Sequence, residues 1–216
     1  MKYKAVFFDM DGTVLDTLED LYSALQHTLL ALGYEGCSME QCRAWLGNGA
    51  VRLLRQALPP EADGELIERA LAEFKEYYSR NCRVKTKCYD GILPLLGKLK
   101  GQGIATAVIS NKISEYVKQL SDEYFPVLMD VAVGDRPGVR LKPWPDLLLQ
   151  TAEKLGLSAE DCLYVGDSEM DIQAAANAGM DCVSVTWGFR TSQQLEKAGA
   201  SVIADECGQL EKLIFR

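Results

Sequence analysis

Short, largely apolar runs recur at residues 4–8, 104–109, 127–133, 162–165 and 182–185, with a weaker one at 201–204. They lack the polar alternation of a half-exposed strand and match strands buried on both faces. Between the later runs, apolar positions fall three and four apart. That spacing predicts helices over 92–100, 114–120, 146–155, 171–178 and 193–198. Strand, helix and strand repeated in this way predict an α/β fold with a doubly wound, Rossmann-like parallel sheet. Ligands bind beyond the carboxyl ends of such strands, so chemistry is expected just after the apolar runs.

Residues 16–86 break the alternation and contain no convincing strand. Leu18, Leu21, Tyr22, Leu25, Leu29 and Leu32 fall on one helical stripe, which Gly33 closes. Ser38-Met39-Glu40-Gln41 has the spacing of a capping box. Further helices are predicted over 51–58 and 65–81, with Pro59-Pro60 between them. The pattern divides the chain into an α/β core, residues 1–15 and 87–216, and an all-helical cap, residues 16–86, inserted after the first strand. A cap that closes over the strand ends is one reading; a passive stabilising subdomain is the other.

Composition narrows the function. Of 216 residues, 48% are apolar and 25% charged, as in ordinary globular proteins. The net charge of −8 excludes a general nucleic-acid binder, which needs a basic surface. An acidic chain that handles an anion must gather positive charge locally, from a metal ion, a lysine and backbone amides. No stretch is long enough to span a membrane, and the four apolar residues 5–8 are too few for a signal-peptide core. Seven cysteines without a C-x-x-C pair, and a single histidine, His27, suggest no zinc cluster. Scattered thiols suit a reducing compartment, so a cytoplasmic location is expected. Monomer and homodimer both remain open.

The strongest chemical signal is Phe7-Phe8-Asp9-Met10-Asp11-Gly12-Thr13. Asp9 and Asp11 project to one side if the strand continues past Phe8, and Gly12 permits a sharp turn. Two adjacent buried acids are costly unless a cation or a catalytic role compensates. Ser110-Asn111 ends a second strand, and Lys142 precedes a helix in Leu141-Lys142-Pro143-Trp144-Pro145. In Gly166-Asp167-Ser168-Glu169-Met170-Asp171, Asp167 and Asp171 lie four apart at a strand end and in a first helical turn. Hard oxygen ligands there suit Mg²⁺. Ser168 and Asp171 also match a capping box, so Asp171 is a direct ligand or acts through water or Lys142.

D-x-D-G-T directly after an N-terminal strand resembles the haloacid dehalogenase superfamily of phosphatases. That resemblance implies Asp9 as nucleophile and Asp11 as general acid and base. It implies Ser110 as a donor to the phosphoryl group, assisted by the Asn111 amide and the amides around Asp11 and Gly12. It further implies that Lys142 neutralises the phosphoryl oxygens and the nucleophile, and that magnesium takes Asp9 and the Asp11 backbone carbonyl beside Asp167. The continuation Gly12-Thr13-Val14-Leu15-Asp16-Thr17 and the segment Leu46-Gly47-Asn48-Gly49-Ala50 resemble the phosphoglycolate-phosphatase-like branch. This chain departs from the branch's usual pattern with Asp90 before Gly91 and with Trp144. The implied partner is a small phosphorylated metabolite. Asn48 and its neighbours open a helix whose amides are placed to receive a substrate carboxylate, with Arg52 either assisting or simply solvated. A pyrophosphatase, nucleotidase, sugar-phosphate phosphatase or mutase is the alternative. The intact acidic set argues against a non-catalytic relic, and a metal-bound D-x-D site favours phosphoryl transfer over dehalogenation.

Overall fold

The computed structural model describes residues 2–216. In chain order, β1 (Ala5–Phe8) and β2 (Leu15–Asp16) lead into α1 (Leu18–Ala31), α2 (Met39–Trp45), α3 (Ala50–Ala57) and α4 (Gly64–Asn81). Then follow β3 (Lys87–Cys88), α5 (Ile92–Gly101), β4 (Ala105–Ile113), α6 (Ser114–Tyr124), β5 (Val131–Asp135) and α7 (Asp146–Lys154). The chain ends with β6 (Cys162–Gly166), α8 (Glu169–Ala178), β7 (Asp181–Val185), α9 (Ser192–Lys197), β8 (Ile203–Ala204) and α10 (Cys207–Ile214).

Six parallel strands form the sheet in the order β5-β4-β1-β6-β7-β8, so the expected doubly wound α/β architecture is present. The chain winds outward from β1 to β5, then crosses back to begin again at β6. This reversal leaves a crevice at the strand ends beside β1. Side-chain alternation explains the two cores. Val6, Phe8, Val108, Leu163 and Val165 face one apolar cluster, while Ala5, Phe7, Ala107, Ile109 and Tyr164 face the other beneath α7 and α8. All four residues of β1 are fully buried, which is why its sequence shows no polar alternation.

Register sets the site. Phe8 lies opposite Val108 on β4 and Val165 on β6, so Asp9, Ser110 and Asp167 emerge at nearly the same level. Two edges differ from expectation. The run at 127–133 forms a strand only from Val131, because Val127 sits in a turn with φ 60 and is 85% exposed. In the other direction, β4 extends past 109 to Ile113, with a register shift between Ile109 and Ile113.

Helices α1 to α4 occupy the expected helical segment, and both hydrogen bonds of the Ser38–Gln41 capping box are present. Leu18, Leu21, Leu25 and Leu29 are buried in one apolar cluster that continues without a break to Val6, Phe8 and Val108 of the sheet. Each buried leucine stabilises by about 1.5–3 kcal/mol, against a few tenths for an exposed i,i+4 ion pair such as Arg80–Glu76. Burial of the stripe therefore holds this segment. Asp16 is not helical; β2 pairs antiparallel with β3 where the segment leaves and rejoins the sheet. A two-residue strand carries no periodicity, so the sequence could not announce it.

A buried carboxylate secures that junction. Asp20, in the first turn of α1, accepts from the backbone N–H groups of Lys85 and Thr86 at 3.0 and 2.8 Å, and from the Thr86 hydroxyl at 2.8 Å. Replacing Asp20 by Ala would orphan these buried donors. We expect Asp20→Ala to lower the unfolding free energy by about 2–4 kcal/mol in urea denaturation; a change within about 0.5 kcal/mol would mean the junction is held by packing alone.

Candidate active site

β1 delivers Asp9 into the crevice, and the chain turns at once instead of remaining extended. The N–H groups of Thr13, Val14 and Leu15 all approach the Met10 carbonyl, while Gly12 adopts φ 85. Asp9 Oδ1 accepts the Met10 N–H at 2.7 Å and lies 2.9 Å from Lys142 Nζ. Both contacts fall on one oxygen, so Oδ2 remains for other chemistry. Lys142 also reaches Asp171 Oδ1 at 2.6 Å and the Tyr164 hydroxyl at 3.0 Å. Asp171 Oδ2 accepts from Ser168 N–H and Oγ at 3.0 and 2.5 Å. Both oxygens of Asp171 are thus engaged, in capping α8 and in holding Lys142.

Asp167 lies just past β6, packed so closely that a Cβ on Gly12 would stand 2.3 Å from its Oδ2 and one on Gly188 2.4 Å away. Its Oδ2 accepts the Phe189 N–H at 2.7 Å. Asp9, Asp167 and Asp171 each offer an oxygen within 4.8 Å of the others, all buried. With all three carboxyls ionised, the one ammonium of Lys142 would leave two negative charges uncompensated. A divalent cation with a preference for hard oxygen donors fits that deficit.

Asp11 shares a cavity with Asp9, Ser110, Asn111 and Lys112. Its Oδ1 accepts from the Thr17 hydroxyl at 2.6 Å, and Lys112 Nζ bridges both of its oxygens at 2.8 and 3.0 Å. Asn111 acts as a brace through its side chain. It accepts from Lys142 N–H at 2.8 Å and donates to the carbonyls of Lys142 and Gly47, each at 3.0 Å. Gly47 and Gly49 line the cavity, whereas Asn48 and Arg52 do not; their side chains meet each other at 3.4 Å on the exposed side.

The profile of the "Haloacid dehalogenase-like hydrolase" family matches residues 6–185, from β1 to the end of β7. The chain belongs to the haloacid dehalogenase-like hydrolases. The phosphoglycolate phosphatase of Pseudomonas putida is 34% identical over 209 residues, covering 94% of this chain and 76% of that protein. The phosphoglycolate phosphatase of Aliivibrio fischeri is 32% identical over 94% of this chain and 92% of its own length. A solved structure from Lactobacillus delbrueckii subsp. bulgaricus superposes with a TM-score of 0.92 at 38% identity, covering 99% of both chains. This hydrolase is a phosphatase that acts on phosphate monoesters.

Lys112 and Arg190 complete the surroundings of the hydrolase's site, and neither belongs to the four motif segments. Lys112 carried a signal, since period-2 alternation places it on the same side as Ser110. Arg190 follows β7 and reaches back to the helical segment. It pairs with Glu169 at 2.9 Å and donates to the carbonyls of Leu46 at 2.9 Å and Arg43 at 3.2 Å, at the end of α2. A guanidinium suits the negative end of a helix. No local pattern marks such a long-range partner.

Electrostatic crowding is severe in the hydrolase. Burial pushes the Asp9 carboxyl up to about 6, and the charges of Asp171 and Asp11 add to this against the pull of Lys142. Burial, then Asp171 and Asp9, hold Asp167 well above the usual carboxylate range. Burial opposes the Lys142 ammonium, but Asp171 and Asp9 outweigh it and its pKa is raised. An acid whose folded pKa is raised contributes stability below its unfolded pKa of about 3.9, and that stability is lost as pH rises through the folded value. For Asp9 the window runs from about 4 to about 6, and the effect is about 3 kcal/mol. In metal-free protein, Asp9→Asn should therefore gain stability relative to wild type as pH rises from 4 to 7. Denaturant titrations showing a flat difference would contradict the shift.

Proposed function

We propose that this phosphatase hydrolyses a small, carboxylate-bearing phosphate monoester, phosphoglycolate or a close relative, through a phospho-aspartate on Asp9. The observation that carries the mechanism is Asp9 itself: buried, steadied through Oδ1 by Lys142 and Met10, with Oδ2 left for phosphorus. Support for the substrate class comes from the phosphoglycolate phosphatases that align with nearly the whole chain.

In the first step an Asp9 oxygen attacks phosphorus, and the bond from phosphorus to the ester oxygen breaks. The departing electron pair stays on that oxygen, which takes a proton from Asp11. In the second step water attacks the phosphoryl group, gives its proton to Asp11, and displaces the Asp9 oxygen to release inorganic phosphate. Ser110 and the amides around Asp11 and Gly12 donate to the phosphoryl oxygens, and Lys142 neutralises charge from beneath Asp9. Asp9, Asp167 and the Asp11 carbonyl would hold magnesium, which would supply Lewis-acid stabilisation of the phosphoryl charge. Asp171 is spent on positioning Lys142. Enhancements of phosphate-monoester hydrolysis reach about 10²¹, while one preorganised donor contributes roughly 3–4 kcal/mol, so no single group suffices.

Residues 16–86 serve as a cap. Leu21, Leu53, Phe74 and Tyr78 from that segment wall the cavity above Asp9 and Asp11, and Arg190 ties the segment to the core. The cavity's apolar wall suits a small metabolite. Seven free thiols suit a reducing, cytoplasmic setting.

A panel of phosphoglycolate, pyrophosphate, nucleoside monophosphates and sugar phosphates, with and without Mg²⁺, tests the reading by phosphate release. Phosphoglycolate should lead, and only with Mg²⁺; a leading pyrophosphate or nucleotide would reassign the substrate. Asp9→Asn should abolish turnover and acid-stable labelling by substrate phosphate, and near-normal turnover would rule out the nucleophile. Lys142→Ala should lower kcat at least about a hundredfold; a twofold loss would reduce Lys142 to a packing role.

A further inference from the structure

Lys112 is buried, with 5% of its side chain exposed, and it is the one cationic side chain among the residues lining the cavity above Asp9. Its ammonium bridges both oxygens of Asp11 and lies 4.7 Å from the centre of the Tyr78 ring. Thr17 holds Asp11 from the other side. A carboxylate so engaged carries no proton to give an ester oxygen; it must leave Lys112 and take up a proton from water before it can act as an acid. When it leaves, a buried ammonium loses its counter-ion against an aromatic wall, which is costly unless another anion takes its place.

A second observation points to the same occupant. Tyr78 lines this cavity and is 1% exposed, yet its hydroxyl finds no hydrogen-bond partner among the described residues. Buried hydroxyls are rarely left so, and an unpaired donor on a residue that walls a ligand cavity is open to an acceptor that enters it. Leu21, Leu53, Phe74 and Tyr116 make up much of the remaining wall, so the ammonium and the hydroxyl stand out as polar groups on an apolar surface.

We propose that Lys112 and Tyr78 form the receiving site for the second anionic group of the substrate, and that its arrival displaces Asp11 from Lys112 and frees it for proton transfer. The inference rests on the phosphatase reading with Asp11 as acid and base, and it assigns the residues that select the substrate. Lys112 exchanges one carboxylate for another, so its charge stays compensated throughout. The cation–π contact with Tyr78 steadies the ammonium during the exchange. An ester without a second anion leaves Lys112 on Asp11 and reacts slowly for that reason. Selectivity thus enters both through binding and through release of the acid.

The test compares phosphoglycolate with ethyl phosphate, its two-carbon counterpart without the carboxylate, in wild type, Lys112→Met and Tyr78→Phe. Wild type should prefer phosphoglycolate in kcat/KM. Lys112→Met should shrink that preference by about tenfold to a hundredfold, the range for loss of a charge-assisted hydrogen bond. Both kcat and KM for phosphoglycolate should be affected. Tyr78→Phe keeps the ring in the core and removes only the hydroxyl; it should shrink the preference severalfold, mostly through KM. Because the readout is a ratio within one preparation, partial misfolding cancels. Equal losses on both esters, or no preference in wild type, would overturn the receiving site while hydrolysis of ethyl phosphate still upheld the phosphatase. Failure of wild type to hydrolyse either ester would remove both readings together.

Discussion

One ammonium among buried carboxylates governs this molecule. Lys142 lies within 3 Å of Asp9 and Asp171, with Asp167 close by, and none of the four has appreciable access to solvent. Burial penalises every one of those charges, and Lys142 compensates only part of the negative excess. The remainder leaves an excess of negative charge at the site, and burial keeps Asp9 from resting as an ordinary surface acid. Everything nearby serves to keep these groups in place. Ser168 and Tyr164 hold Asp171, Asn111 holds the backbone of Lys142, and Phe189 holds Asp167.

The parallel sheet makes that crowding possible. Register aligns three neighbouring strands, so residues about a hundred positions apart in sequence stand side by side. Their apolar interiors, buried on both faces, anchor the strand ends against repulsion between the acids they carry. A continuous core extends from the sheet into the helices, so the helical segment shares the stability of the sheet instead of resting loosely on it. Asp20 and Arg190 then join segment and sheet at two separate places. Polar contacts at the rim thus add to apolar packing that runs unbroken between segment and sheet.

Several polar side chains here are engaged with neighbouring residues. Thr17 stands at the start of α1, where a cap is expected, yet its hydroxyl goes to Asp11. Asp171 closes the cap of α8 with one oxygen and grips Lys142 with the other. Asn111 ties β4 to the loop carrying Lys142 and to Gly47 of the helical segment. Such sharing couples the shape of the cavity to the protonation and positioning of the groups beneath it.

Much of this was legible in the residues alone. Period-2 and period-3.6 patterns marked the sheet strands and most helices, because burial on one face or two leaves a local imprint. The acids Asp9, Asp11 and Asp167 announced themselves because carboxylates directly after apolar strands are hard to explain as packing. Elsewhere the imprint is weak: Val127 is apolar but lies in an exposed turn, and β2 and β3 are too short to show a period. The roles of Lys112, Tyr78 and Arg190 needed the tertiary structure, since each depends on a partner far along the chain. Sequence determined which residues could carry chemistry, through local pattern and residue type. Folding decided which charges meet, because Coulombic and hydrogen-bond partners are set by distance in space, to which separation along the chain is no guide.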